Sequence, residues 1–271
     1  QKKREKVLKA KTTKVVIKEI RFGPQTDNHD YEFKKKHSEK FLKEGAKVCM
    51  VSRGSNLLFE NEKKLQEKYG SERVFSTVCD CAQVKSLVDL SEVIDSKWGG
   101  MDIVIANIGC GSGVIDALPT DEQWKNSWNN NFESALQTAR TFLPMLKKSQ
   151  GVLLFISSIA GIEAFGAPTD YSTAKSAIIA LAKNMARKLA PGVRVNVIAP
   201  GNVYFEGGSW DEKIQQDKKR VDEIIKSTVP MNRFATPQEI ADSAVFLCSD
   251  RASFVTGVTL VVDGGQTVGV F

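Results

Sequence analysis

The sequence predicts an α/β fold in which a single doubly wound parallel sheet carries helices on both faces. From about residue 46 onward, short apolar runs rich in β-branched residues alternate with longer stretches of helical spacing. The short runs are apolar on both faces, as the buried strands of a parallel sheet are. Strands and helices that alternate in this way build a doubly wound sheet. The predicted strands are Ala46–Val51, Arg73–Val78, Asp102–Ala106, Val152–Ile156, Val193–Ile198 and Val258–Val262.

Helix starts are marked along the same part of the chain. Thr120–Gln123 and Thr236–Glu239 each carry the capping-box pattern, and Pro237 takes the first helical position of the second. Apolar residues after Asp170 follow helical spacing as far as Leu189. No repeat, low-complexity tract or linker divides this stretch, so we expect one domain.

The basic charge of the chain is concentrated at its amino-terminal end. Residues 1–47 carry 15 Lys and Arg against 7 Asp and Glu, a net charge of +8, whereas the rest, with 23 basic and 25 acidic residues, has −2. Such a Lys-rich segment is usually a solvated face, so nucleic-acid binding is the weaker interpretation. We divide the chain into an atypical basic segment, residues 1–40, with a candidate first strand at 13–20, and a single-domain body, residues 41–271.

The composition excludes several other classes of protein. Apolar residues make up 42% and charged residues 26%, as in soluble globular proteins, and no apolar run approaches the ~20 residues that span a bilayer. The five cysteines show no metal-ligand spacing, and their odd number predicts reduced thiols in the cytoplasm. The two histidines, His29 and His37, both lie in the irregular amino-terminal part, so we expect no histidine-based mechanism.

Three residues that follow one predicted strand are suited to acid–base chemistry. Ser158 comes directly after Val152–Ile156 and Ser157, and Tyr171 precedes Lys175 by one helical turn, which places the phenol and the ammonium on one face. A free tyrosine has a pKa of about 10, and a nearby cation favours the phenolate. Tyr171 can therefore act as general acid toward a carbonyl or base toward an alcohol, with Ser158 bonded to the same oxygen. By itself Tyr-x-x-x-Lys is weak evidence, because an exposed helix pair has the same spacing.

Further motifs lie in a consistent order around these residues. They are Ala106–Gly109 (ANIG), Asn131 after Trp124, Ile156–Gly161 (ISSIAG), Tyr171–Lys175 (YSTAK), Asn196–Gly201 (NVIAPG) and Val262–Gly265 (VDGG). From Phe41 to Thr267 the sequence resembles the short-chain dehydrogenase/reductase family, and its carboxyl-terminal half particularly resembles 3-oxoacyl-carrier-protein reductases. The resemblance implies a Rossmann-like fold, a homotetramer, and hydride transfer between a nicotinamide cofactor and a carbonyl or secondary alcohol.

The resemblance also implies roles for individual residues. Tyr171 would be the catalytic acid/base, and Lys175 would lower its pKa and hold the nicotinamide ribose. Ser158 would position the substrate oxygen, and Asn131 would hold a water in a proton relay. Asn129–Asn131 are poor helix formers and predict a local break there. The residues implied to contact the cofactor are Asp80 and Cys81 beside the adenine, Asn107 and Gly109 in the crevice, and Pro200, Gly201 and Val203 around the nicotinamide.

The choice of cofactor depends on the end of the strand Ala46–Val51. A carboxylate there would bind the 2′-hydroxyl of NAD, but the sequence has Ser52 followed by Arg53. A guanidinium suits a 2′-phosphate. We therefore expect NADP, with NAD as the second choice, although an ordinary surface arginine would look the same.

One family motif is missing. The family has a glycine-rich turn after its first strand, which lets the backbone approach the pyrophosphate. Counting back from Gly45, this turn should fall at Asp27–Lys34, where the sequence is DNHDYEFK. Two explanations stay open: a divergent turn, or a truncated or misread coding sequence joined to a family body at Phe41, which the abrupt return to family-like sequence favours. The rival function is a non-catalytic subunit with impaired cofactor binding.

The stretch 202–227 occupies the position of the family's substrate lid. Tyr204, Phe205 and Trp210 make it aromatic, which would suit an apolar or cyclic group, and packing roles fit equally well. Phe205 stands where the family often has a Thr that contacts the nicotinamide carboxamide. The expected partner is a small carbonyl or alcohol, with no membrane contact.

Overall fold

A computed structural model of the chain describes residues 13–17, 31–107, 109 and 116–270. Its strands are β1 Lys14–Ile17, β2 Lys47–Ser52, β3 Val74–Val78, β4 Ile103–Ala106, β5 Val152–Ile156, β6 Arg194–Pro200 and β7 Thr259–Val262. They pair in parallel as one sheet in the order β3-β2-β1-β4-β5-β6-β7. This arrangement confirms the doubly wound α/β fold.

The strand predictions agree with the structure within one or two residues at each end. The largest difference is in β6, which extends two residues beyond the predicted end at Ile198, because Pro200 still pairs with Val262 of β7. β1 lies inside the candidate strand at 13–20, between β2 and β4, and residues 18–20 lie outside the described part of the chain.

Eight α-helices cover the sheet in the described part of the chain. They are α1 Tyr31–Lys43, α2 Asn56–Tyr69, α3 Val84–Trp98, α4 Asp121–Trp128, α5 Ser134–Ser149, α6 Thr169–Leu189, α7 Ser209–Thr228 and α8 Pro237–Cys248. Both predicted capping boxes are present: Thr120 and Gln123 at α4, and Thr236 and Glu239 at α8, each bond the other's backbone N–H. Local sequence alone therefore sets the starts of these two helices.

The predicted break at the three asparagines is a π-helical turn. Residues 129–133 form one turn of π-helix between α4 and α5, and the turn buries the side chain of Asn131. Such insertions are frequent at functional sites because they rotate one residue out of the regular helical face.

The apolar core lies on the two faces of the sheet. Alternate residues of β5 contribute to different clusters: Leu154 and Ile156 pack with α1, α2 and α8, whereas Leu153 and Phe155 pack with α3, α5 and α6. This is the two-sided burial that the unbroken apolar runs predicted. Both faces of the sheet are therefore covered by helices, and its carboxyl-terminal edge is the part that can carry functional residues.

Some sequence-based expectations fall on residues that the structure does not describe. His29, Cys110 and residues 27–30 of the expected glycine-rich turn are among them. The backbone of residues 31–34, the rest of that stretch, forms the first turn of α1. Among the described helices, none combines the length and the apolar character that crossing a membrane requires. The described His, Cys, Asp and Glu side chains form no group able to hold a metal.

Candidate active site

The predicted site residues follow the carboxyl ends of five strands. Because the sheet is parallel, these ends share one edge, which is where doubly wound folds bind ligands. Arg53 and Asp80 follow β2 and β3, Asn107 follows β4, Ser158 follows β5, and Gly201 follows β6. The sheet order places the first two on one side of β1 and the others on the opposite side, so they flank a topological switch point.

Lys175 is the best-defined member of the site. Its side chain, only 3% exposed, lies on α6, and its ammonium donates to the carbonyl of Ile156 at 3.2 Å. The ammonium nitrogen is 5.6 Å from the centre of the Tyr171 ring, so the pair shares a helix face as predicted. Ser157 ties the end of β5 to α6, since its hydroxyl donates to the Lys175 carbonyl at 2.8 Å. A buried ammonium beside a phenol is what the acid–base interpretation requires.

Gly109 and Asn131 meet this ammonium from the other side. A Cβ atom at Gly109 would lie 2.5 Å from Lys175 Nζ and 2.7 Å from Asn131 Oδ1, so a side chain is excluded there. The Asn131 amide donates to the Ser127 carbonyl at 3.0 Å, which orients it within the π-helical turn. Three segments far apart in sequence thus converge on one point.

Ser158 starts the short 3₁₀-helix Ile159–Gly161. Its hydroxyl accepts from the Ala160 N–H at 3.2 Å, as a helix-capping serine does. A Cβ at Gly161 would lie 2.7 Å from the carbonyl carbon of Lys175, and the Ser176 hydroxyl donates to the Gly161 carbonyl at 2.7 Å. The segment Ser158–Gly161 is therefore packed directly on α6, the helix that carries Tyr171 and Lys175.

Two buried amide side chains at the same edge have unmatched polar atoms. Both amide atoms of Asn107, which is fully buried, and Oε1 of Gln266 have no hydrogen-bond partner among the described residues. A buried polar group without a partner is costly, so a group outside the described residues is expected to satisfy it. Asn107 is one of the residues that the family resemblance implies in the cofactor crevice.

The segment after β6 lies very close to neighbouring segments of the chain. Pro200 is the last residue of β6, and a Cβ at Gly201 would lie 2.7 Å from Cβ of Asp263. Val203 forms an isolated bridge with Ala235. Phe205, which the sequence placed at the position of a family threonine, is 7% exposed and belongs to the core. Its ring therefore packs in the fold rather than lining an open pocket.

The lid region is organised by aromatic rings. Phe234 lies 5.9 Å from Tyr204 and 5.3 Å from Trp210, measured between ring centres. Asp211 accepts from the Tyr204 hydroxyl at 3.0 Å and from the Gly207 N–H at 2.8 Å, and this carboxylate raises the pKa of Tyr204 chiefly through the hydrogen bond. Tyr204 and Trp210 therefore pack against Phe234, while Tyr204 stays 37% exposed, and both roles that the sequence left open fit these contacts.

The residues expected beside the adenine lie at the ends of β2 and β3. The Ser52 hydroxyl accepts from the Gly54 N–H at 3.3 Å, and the Asp80 carboxylate accepts from the Ala82 N–H at 3.1 Å. These bonds shape two turns at the sheet edge. Cys81 is buried in the core together with Cys79, and Arg53 is half-buried.

Sequence reasoning missed three residues that support the site. Ser157 was overshadowed by Ser158, although the doubled serine was a visible signal. Asp170 is 3% exposed and accepts from the Tyr171 N–H at 2.8 Å. Glu163 accepts from the Val268 and Gly269 N–H groups, and no local pattern could have revealed partners so distant in sequence.

Comparison with known proteins identifies the family. The sequence model of the family described as Enoyl-(Acyl carrier protein) reductase matches residues 35–267. The short-chain dehydrogenase/reductase SDRA of Arabidopsis thaliana is 34% identical over 230 residues, which cover 84% of this chain and 88% of that protein. The 3-oxoacyl-[acyl-carrier-protein] reductase FabG of Thermotoga maritima is 31% identical over 193 residues, 70% of this chain and 75% of that one.

Solved structures give the same answer. L-sorbose reductase from Gluconobacter frateurii, in complex with NADPH and L-sorbose, matches with a TM-score of 0.85 at 28% identity, over 96% of this chain and 98% of that chain. The range matched by the family model also confirms the extent of the resemblance drawn from the motifs. The chain belongs to the short-chain dehydrogenase/reductase family of oxidoreductases.

Proposed function

We propose that this protein transfers a hydride between NADP(H) and a small carbonyl or secondary alcohol, with Tyr171 as the general acid/base. The observation that carries the proposal is the buried Lys175 ammonium, 5.6 Å from the Tyr171 ring centre and next to Gly109 and Asn131. Family membership supports the class of reaction. NADP(H), when bound, supplies or accepts the hydride.

The side chains divide the remaining chemistry among themselves. The Tyr171 hydroxyl gives its proton to the oxygen of a carbonyl, or takes one from an alcohol. The Lys175 ammonium stabilises the negative charge that the phenol oxygen then carries. Ser158 orients the same substrate oxygen. Asn131, whose amide is oriented by Ser127, is placed to hold a water that returns the proton.

The residues would hold the cofactor unequally along its length. Asn107 offers the unmatched polar atoms described above, and Gly109 lies beside the Lys175 ammonium. Pro200 ends β6 on the same edge, and Gly201 and Val203 come after it. Asp80 and Cys81 would flank the adenine, as the resemblance implies. At the pyrophosphate position, by contrast, the sequence has no glycine between Asp27 and Lys34.

NADP(H) rather than NAD(H) is supported by Arg53 and by the NADPH bound to L-sorbose reductase. We expect NADPH, titrated by its fluorescence, to bind more tightly than NADH. Arg53→Ser should raise the Kd for NADPH roughly tenfold or more and leave NADH nearly unchanged, because a charge-assisted bond contributes about 1.5–3 kcal/mol. Arg140→Ser, on the exposed face of α5, is the control.

Two outcomes of this titration would change the assignment. Tighter binding of NADH would reverse the cofactor preference. Absence of binding of either nucleotide at millimolar concentration would favour the rival function, a non-catalytic subunit.

A homo-oligomer is supported by exposed apolar side chains near the edge strand β7. Phe254 is fully exposed, and Phe246 and Val258 are more than one-third exposed, which marks an interaction surface when such residues cluster. The resemblance implies a tetramer. Light scattering at micromolar concentration should give four times the chain mass of 29.9 kDa, and Phe254→Asp should lower it, whereas Phe59→Asp on α2 should not. A monomeric wild-type mass would contradict the proposal.

The cytoplasm is the proposed location. The four cysteines that the structure describes, Cys49, Cys79, Cys81 and Cys248, are buried and form no disulfide bond with one another. Burial raises the pKa of the Cys248 thiol to about 12. Inert, reduced thiols of this kind are typical of proteins in a reducing compartment.

A further inference from the structure

The segment after β7 connects the residues that follow α7 to the loop that precedes α6. This segment, residues 263–269, is called the strap below. Its turn is shaped by Asp263, whose carboxylate accepts from the N–H groups of Gly265 at 2.9 Å and Thr267 at 2.7 Å. Two glycines at positive φ, Gly264 and Gly265, allow the turn. The strap therefore leaves the sheet in a defined direction.

At its start the strap packs against the residues that directly follow α7. The Met231 N–H donates to the Gly264 carbonyl at 3.2 Å, and Cβ atoms at Gly264 and Gly265 would lie 3.0 Å from Val229 and 3.2 Å from Pro230. Val229, Pro230 and Met231 directly follow α7, just beyond the stretch 202–227 that is expected to form the lid. The strap is thus in contact with the residues that follow α7, the helix that carries most of the expected lid.

At its far end the strap is bonded to Glu163. The Gly269 N–H donates to Oε1 at 2.6 Å, and the Val268 N–H donates to Oε1 at 2.9 Å and Oε2 at 3.2 Å. A carboxylate that accepts two backbone N–H groups makes stronger bonds than a neutral acceptor. These bonds are called the Glu163 clasp below.

Glu163 itself lies in the loop 162–168, between Ser158 and Tyr171, two of the four predicted catalytic residues. The loop runs from the 3₁₀-helix started by Ser158 to α6, which carries Tyr171. Its beginning is held by Glu163 N–H, which donates to the Ile159 carbonyl at 2.9 Å. Residues 164–166 of the loop are exposed.

We propose that Glu163 is a positioning residue whose clasp joins the loop 162–168 to the strap, so that both form one wall of the substrate cleft. The Gly264 carbonyl holds the wall to the residues that follow α7, and Glu163 holds it to the short helix that begins after Ser158. Glu163 does not touch the reacting atoms; it acts through the strap. The proposal deepens the proposed function and rests on it for the location of the substrate.

Four variants separate the clasp from general effects. Glu163→Ala removes the acceptor and Glu163→Gln keeps one carbonyl oxygen. Gly269→Pro removes the donor of the shortest bond, and Gly269→Ala keeps it. Glu92→Ala, on the exposed face of α3, is the control for loss of a surface carboxylate, and thermal unfolding checks that each variant folds.

Hydrogen–deuterium exchange of the backbone amides tests whether the clasp forms, and it does not require the protein to be catalytically active. We expect Glu163→Ala to speed exchange in both the strap and the loop 162–168, and Gly269→Pro to speed exchange in the loop. Glu163→Gln, Gly269→Ala and Glu92→Ala should stay near wild type. Unchanged exchange in the loop with Glu163→Ala would overturn the proposal, whether or not the protein is active.

Steady-state kinetics with NADPH and the probe substrates ethyl 3-oxobutanoate and L-sorbose test the positioning role. We expect Glu163→Ala to raise the substrate KM roughly three- to tenfold, the range for a lost hydrogen bond, with kcat and the Kd for NADPH within about twofold. Adding Gly269→Pro should cause no further rise, since Glu163→Ala has already removed the acceptor of the one bond that Gly269→Pro breaks. Additive effects, or a fall in kcat alone, would overturn the proposal. No wild-type turnover would count against the proposed function, and the exchange measurement would still decide this inference.

Discussion

Replacement of Tyr171 by Phe is expected to lower kcat by about 10²–10⁴-fold, the contribution of a positioned general acid. The change removes only the hydroxyl, so the ring and its contact with the Lys175 ammonium at 5.6 Å remain. The Kd for NADPH, measured by fluorescence titration, should therefore stay within about twofold of wild type. Circular dichroism and thermal unfolding should be unchanged.

Tyr69→Phe is the matched control for this experiment. Tyr69 ends α2, and its hydroxyl has no hydrogen-bond partner among the described residues. The same atom is thus deleted without touching the site. A kcat within about tenfold of wild type for Tyr171→Phe would refute the assigned role, and a comparable loss in Tyr69→Phe would point to a general effect.

Replacement of Lys175 by Met should have the second-largest effect and a different signature. The unbranched apolar side chain fills a similar volume at a position that is 3% exposed, but it cannot donate to Ile156 or stabilise charge on the phenol oxygen. We expect kcat to fall at least 10²-fold, in the range for acid–base groups, and the Kd for NADPH to rise roughly tenfold as a ribose contact is lost.

The pH profile gives the sign of the lysine effect. A cation beside a phenol favours the charged phenolate, so its removal should move the rise of alcohol oxidation to higher pH. Folding should not suffer, because a buried ammonium is costly to desolvate, and Tm should be equal or higher. Lys188→Met, in the exposed last turn of the same helix, should change none of these quantities. A lowered pH profile would contradict the proposed role.

Much of the site was predictable because its motifs are local. The Tyr171–Lys175 pair depends only on helical spacing, and the capping boxes of α4 and α8 depend on four consecutive residues each. A local break at Asn129–Asn131 followed from their poor helix propensity, but its form, a π-helical turn over residues 129–133, did not. The fold class followed from the order of apolar runs, since parallel strands need helical crossovers.

Contacts between distant segments were not predictable in the same way. Nothing near Glu163 announces a bond to Gly269, and nothing near Asn131 shows that Gly109 must lack a side chain to admit it. Phe205 illustrates the same limit: its pattern suited a ligand contact as well as a packing role, and only its place in the core decided between them.

By itself, the sequence determined the doubly wound fold, the starts of two helices, and the family to which the chain belongs. These properties depend on periodicity and on motifs whose members lie within a few residues of one another. Only the tertiary structure decided that Lys175, Asn131 and Gly109 meet at one point and that Glu163 holds the strap. The physical reason is that such contacts depend on the order of strands in the sheet, which brings together the ends of segments that share no local pattern.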